Sequence, residues 1–343
     1  MLCTALPEVT DNLESTRRSA AVFLGSFSGR YEATSRRHFV ARCTNVGDAH
    51  GHGNLNVERG ALAAEAWVCA LTAFELARRL ADEGDPQTGD VLAKLEAVIS
   101  NFGSLEQRVR RVEISSWDEQ KLPAYYVSGG GPDLCTAAVI CISGEDETGA
   151  MLLGRLLPVI ASRSMAALIL AFDDISASRH GQSEILSSCL DYLSAHPEVD
   201  ASRIGIYGEG LSAALATDLA LADRRLGAAV CDGGLWNWTR TQASISWITG
   251  TSHLSDDHLA SAHRMRLARR LKCPALVVAG GRSIVSVVEA IKLESDCAAA
   301  SIDLKVLMPQ LAPVSDGEFE NFAAYDEGIF AWLEHKLAPT SAS

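Results

Sequence analysis

The stretch Met165–Phe172, MAALILAF, is the longest unbroken apolar run in the chain. A strand that alternates apolar and polar residues has one dry face; a strand that is apolar throughout has two. The same texture returns at Ala137–Ser143, Ile204–Tyr207, Ala228–Asp232, Ala275–Ala279 and Leu304–Leu307. Helical patterns lie between the later runs, at Gly149–Ser162, Glu184–Ala195, Leu211–Ala222 and Val285–Ala300, and Phe322–Leu337 closes the chain. Strands buried on both faces and alternating with helices predict a parallel sheet between two helical layers. Two earlier runs, Val109–Ser115 and Ala124–Val127, alternate more and are expected at an antiparallel edge.

The first 105 or so residues carry no strand pattern. Ala61–Leu80 places Leu62, Trp67, Leu71, Phe74 and Leu80 near a helical period, and Val91–Phe102 reads as a second helix after Asp85-Pro86. Between them, Thr44–Gly60 is rich in Gly, His and Asn and reads as a loop. Asp48, His50 and His52 in that stretch have no third distant partner, so a surface loop is favoured over a metal site. The expected organisation is a helical segment over 1–105 and an α/β core over 106–343. Within the core, Gly233–Leu271 breaks the strand–helix rhythm and holds Trp236, Trp238, Trp247, His253, His258 and His263. An insertion at that place lies over the carboxyl ends of the strands, where open α/β sheets bind ligands, and it is read as a helical lid.

Composition narrows the function classes. The net charge of −13 opposes nucleic acid and anionic membranes, and no basic run longer than a pair offsets it. The start has no charged leader followed by an apolar core, and no run reaches the roughly 18 residues that span a bilayer. A cytoplasmic protein is expected. The nine scattered cysteines form no CxxC and no paired framework, and most read as small hydrophobic residues; for Cys231, at a strand end, a nucleophile's role is the alternative to packing.

The segment RIGIYGEGLSAAL, 203–215, reads as buried strand, tight turn and helix start. Strand, G-x-S-x-G and helix form the nucleophile elbow of α/β hydrolases. Here the window is Gly208-Glu209-Gly210-Leu211-Ser212, with the preceding YLSAHPEVDASRIGIYGEG also similar to that family. EAWVCALTAFELARRLADEGD near the N-terminus and ISGEDETG after the third strand resemble its FrsA-like branch, which includes 2,6-dihydroxypseudooxynicotine hydrolases. The resemblance implies an α/β-hydrolase fold: a mostly parallel eight-stranded sheet, helices on both faces, a helical N-terminal segment and a lid.

The family's catalytic residues do not carry over. Gly210 stands where the nucleophile belongs, Ser283 where the acid is expected in GGRSIVSVVEA, and no His lies between His263 and His335 to serve as base. Ser212 is turned roughly 200° away along a helix and is a poor substitute. A backbone oxyanion hole depends on none of these side chains. Its expected donors are the Leu211 N–H and one from the loop at Gly144-Glu145. Among strand-end carboxylates Asp232 is the first choice for a retained acid, with Asp173, Asp174 and Glu209 after it; capping or turn formation is the alternative for each.

The layout is similar to the C–C bond-forming α/β-hydrolase-fold proteins of anthraquinone-fused enediyne biosynthesis. That likeness implies a non-hydrolytic enzyme acting on an aromatic or polyketide-like carbonyl compound. Asp232, Asp173 and His253 are then the catalytic candidates. Gly144, Glu145, Glu209, Gly210, Leu211, Trp236 and Trp238 are the binding candidates. No metal or cofactor is expected, and a homodimer is left open. A non-catalytic ligand- or partner-binding descendant, and a hydrolase with a rearranged site, remain alternatives at this point.

Overall fold

The computed structural model describes residues 33–52, 70, 73–74, 76–78, 86–105, 109–115, 121–130, 135–145, 147–176, 182–236, 263–279, 287–308, 311–314, 317–320 and 322–339. Eight strands form one sheet: β1 (Val109–Ser115), β2 (Lys121–Val127), β3 (Thr136–Ile142), β4 (Ala166–Leu170), β5 (Val199–Glu209), β6 (Leu226–Asp232), β7 (Ala275–Val278) and β8 (Leu304–Leu307). Their order is β1-β2-β4-β3-β5-β6-β7-β8. Strand β2 runs antiparallel to β4, and the pairs from β4 through β8 are parallel. This is the α/β-hydrolase fold.

The chain divides into two compact units. One, residues 111–149, 163–308 and 328–343, holds the whole sheet apart from the first residues of β1. Every residue of β3, β4 and β7 is buried, as unbroken apolar runs require. On one face pack α5 (Gln182–Ser194) and α6 (Ser212–Ala222). Helix α5 contributes Ile185, Leu186, Cys189, Leu190 and Leu193, a stripe at helical spacing, to a core that also holds Ile140, Leu168 and Ile206. On the other face the last helix, α8 (Phe322–Lys336), sets Leu333 against Gly205 and Phe330 beside Tyr207, ring centroids 6.2 Å apart. Two further helices of this unit are α4 (Phe172–Ser176) and α7 (Val287–Ala299), and residues 263–268 are helical as well.

The second unit combines residues 1–110, 150–162 and 309–327. It contains α1 (Ala33–His52), α2 (Pro86–Leu105), nearly all of α3 (Gly149–Ala161) and a hairpin of β9 (Leu311–Val314) with β10 (Gly317–Glu320). The described residues between 70 and 78 are helical, with Phe74 buried as its spacing predicts. The loop expected over Thr44–Gly60 is corrected in its first part, where helix α1 continues through His52; residues 53–60 lie outside the described residues. Val40, Cys43 and Gly47 fall on one buried stripe, and the Phe74 ring lies where a side chain at 47 would project. That glycine serves a close contact inside a helix rather than a turn. Asp48 pairs with Lys94 at 2.7 Å. The side chains of His50 and His52 lie outside the described residues. Among those described, no group of three or more His, Cys, Asp or Glu is placed to hold a metal ion. Nor is any described helix long and apolar enough to cross a membrane.

Cys43, Cys189 and Cys231 are fully buried, and burial pushes each thiol up to about 12 from an ordinary 9.0. The unfolded chain therefore releases these protons first. Each thiol's contribution is fully present below pH 9 and is lost as pH rises toward 12, by about 1.4 kcal/mol per pH unit. Urea midpoints should be level in this respect up to pH 8.5 and fall above it. Replacing Cys189 by Ala should make that alkaline fall shallower; an unchanged slope would refute the assignment.

Candidate active site

The carboxyl ends of β3, β5 and β6 carry most of the residues singled out in the sequence. Strand β5 ends at Glu209, the chain turns at Gly210 with φ +60°, and α6 begins at Ser212. A left-handed turn of this kind favours glycine. The turn is fixed from both sides: the Gly210 N–H donates to the Asp232 carbonyl at 2.7 Å, and the Ala213 N–H donates to the Gly210 carbonyl at 3.1 Å. Gly208 is needed for space. A methyl there would enter the carbonyl group of Ser212, so strand and helix could not approach as they do. The elbow geometry is therefore present, built on two glycines.

Ser212 is fully buried, and its hydroxyl donates to the Ser143 carbonyl at 2.6 Å. Ser143 is itself tied to β4. Its N–H donates to the Leu170 carbonyl at 3.0 Å, and its Oγ accepts from the Phe172 N–H at 3.1 Å. One serine thus joins the ends of β3 and β4 to the first turn of α6.

The next loop carries Gly144 and Glu145. Glu145 is exposed, yet its Oε2 accepts the Leu211 N–H at 3.0 Å. The same oxygen lies in the volume that a side chain at position 210 would enter. The backbone donor expected to face a ligand oxygen thus faces a carboxylate of the protein. The positive end of α6 suits a negative charge at that place. Sequence reasoning assigned Glu145 to the site through its backbone; the reach of its side chain across 66 positions had no local signal.

Glu209 and Asp232 are register partners on β5 and β6. Between them stands Tyr207, fully buried, which no site reading of the sequence picked out. Its hydroxyl is 2.9 Å from Glu209 Oε2 and 3.3 Å from Asp232 Oδ2, and its single proton can serve either. Two residues apart on a strand, Tyr207 and Glu209 point the same way, which is the only sequence trace of the pair. Cys231, next to Asp232, is buried, meets the Thr217 hydroxyl at 3.4 Å and holds its proton up to about 12, which suits a packed thiol.

Asp173 and Asp174 do not end a strand. Strand β4 stops at Leu170, and both aspartates lie exposed in the first turn of α4. Burial, then the neighbouring Asp173, raises the Asp174 carboxyl above its ordinary value. Trp236 is half-buried against the core, and its buried indole N–H has no hydrogen-bond partner among the described residues. Trp238, His253 and Ser283 lie outside the described residues.

No protein-family model matches the chain, and no curated protein matches it by sequence. Solved structures do match. The chain is 15% identical to a 2,6-dihydroxy-pseudo-oxynicotine hydrolase, with 93% of this chain and 95% of that one covered and a TM-score of 0.57. The structure of AbyA5 is 15% identical, with 96% and 97% covered and a TM-score of 0.49. An esterase from Pyrococcus furiosus, Pf2001, is 15% identical, with 67% and 91% covered and a TM-score of 0.46. These neighbours are α/β-hydrolase-fold proteins, and the likeness is one of fold.

Proposed function

We propose that this chain is a non-hydrolytic enzyme on the α/β-hydrolase fold, one that forms a C–C bond or closes a ring on an aromatic, polyketide-like carbonyl compound. The observation that carries the reading is the elbow at Gly210. Its turn and its backbone donor at Leu211 are intact, while the position aimed at a substrate has no side chain. Without a nucleophile there is no acyl-enzyme, and Ser212 is held by Ser143 and cannot replace one. Ser283 stands where the acid is expected and no His lies between His263 and His335, which supports the reading that the hydrolytic triad is lost. A backbone N–H at a helix start remains suited to a developing enolate oxygen. Orienting the two reacting carbons of one substrate would supply much of the rate.

In this reading a carboxylate or His moves the proton, with Asp232, Asp173 and His253 as candidates, and Trp236 and Trp238 hold a planar ring. The partner is a small molecule, with no nucleic acid, membrane or cofactor involved. The test begins with a fluorophosphonate probe and p-nitrophenyl acetate on the wild type beside Gly210→Ser. The wild type should remain unlabelled and show no burst; stoichiometric labelling would overturn the reading. Native mass spectrometry with aromatic polyketide extracts then identifies a ligand. Turnover of that ligand should fall about 100-fold or more in at least one of Asp232→Asn, Asp173→Asn and His253→Ala, with binding retained. If none falls, none of these three side chains moves the proton.

A further inference from the structure

We propose that Glu145 is the proton-transferring residue of this site, and that one hydrogen bond, Leu211 N–H to Glu145, couples proton removal to oxyanion stabilisation. This rests on the reading that the site handles a carbonyl compound through an enolate.

The argument starts from position. Glu145 Oε2 lies in the space over Gly210 that a side chain at this position would take, so its carboxylate stands where the fold presents a reacting group. It is exposed, and the Leu211 N–H at 3.0 Å is the hydrogen bond found on its carboxylate among the described residues. The rival carboxylates are differently placed. Glu209 and Asp232 both lie on the buried Tyr207 hydroxyl, and Asp173 sits on α4.

The chemistry balances without any further reactant. A C–H bond next to the substrate carbonyl breaks, and its proton forms an O–H bond on Glu145. The electron pair moves into the carbonyl group and leaves the negative charge on its oxygen. Charge therefore leaves Glu145 as it arrives on the substrate. The Leu211 N–H prefers the charged acceptor, because hydrogen bonds to ionised oxygen are about twice as strong as neutral ones. It passes from the neutral carboxylic acid to the enolate. The enolate carbon then attacks its electrophilic carbon, and Glu145 returns the proton to the alkoxide or enolate that results. Here the base fills the hole until the moment it is neutralised.

The test uses Glu145→Gln, which keeps an oxygen acceptor for the Leu211 N–H and removes the base. Two measurements are made on the full chain. At pH 7 the Leu211 amide NMR resonance should lie downfield in the wild type, where it meets a carboxylate, of its position in the variant, where it meets a neutral amide. Equal positions overturn the proposal. Exchange of the α-protons of 1-tetralone in D2O should be faster with the wild type than with Glu145→Gln by about 100-fold. Equal rates overturn the proposal, whether both are fast or both are at the uncatalysed level. Exchange that survives Glu145→Gln but is lost in Asp232→Asn would keep the enolate reading and remove Glu145 from it. A wild type that does not accelerate exchange at all removes both.

Discussion

Replacing Asp326 by Ala should destabilise the protein by roughly 3–5 kcal/mol, the largest single loss we expect. Arg155 on α3 and Asp326 on α8 pair at 3.1 Å with side chains only 2% exposed. Two charges so far from water are tolerated because each answers the other. Removing the carboxylate leaves the guanidinium buried without it, and desolvation is then opposed by less. The pair itself need not be a net gain over apolar residues of similar size. Arg155→Met with Asp326→Leu should accordingly recover most of the loss. Urea denaturation of the single and double variants checks both statements. A single-variant loss under about 1 kcal/mol would mean that the pair contributes no more than a surface ion pair.

Gly208→Ala is the second large effect, at about 3 kcal/mol. The added methyl would enter the Ser212 carbonyl and approach the Ala213 nitrogen at 3.1 Å. Those are backbone atoms, and Ser212 is fastened to Ser143, so nothing nearby yields cheaply. Gly210→Ala makes the informative comparison. Its methyl meets the end of the Glu145 side chain, which can swing aside, and the left-handed backbone adds about 1–2 kcal/mol. The two glycines share one turn, yet the first should matter more to stability and the second more to the site. Thermal or urea unfolding of both variants gives the order; a reversed order would show that the strand–helix approach at Gly208 relaxes more readily than its geometry indicates.

The sheet was legible because burial on both faces writes unbroken apolar runs, and β3, β4 and β7 lie within a residue or two of where those runs stand. Strand β5 is longer than its apolar centre: Val199 is buried and pairs with Thr136, and the polar stretch at 200–203, half-buried to exposed, leads from it to Ile204. The run ending at Phe172 misled by its last residues. The Phe172 N–H goes to Ser143 Oγ instead of a neighbouring strand, and a short helix starts there. Glycines misled in the same way at α1, where Gly47 marks a ring contact and not a turn. At the elbow the glycine pattern was readable because it is local. The Tyr207 bridge was not, for a tyrosine in an apolar strand reads as core and its hydroxyl reveals its partners only once β6 is beside it.

The triple fastening of Ser143 has a consequence for timescale. It pins the root of the Gly144-Glu145 loop to β4 and to α6 at once. Glu145 then has no need of a moving loop to leave Leu211, because rotation about its own side-chain bonds suffices. Rotamer changes of exposed side chains take picoseconds to nanoseconds, while loop rearrangements run to microseconds. The Leu211 amide should therefore give one averaged resonance, with no line broadening from slow opening.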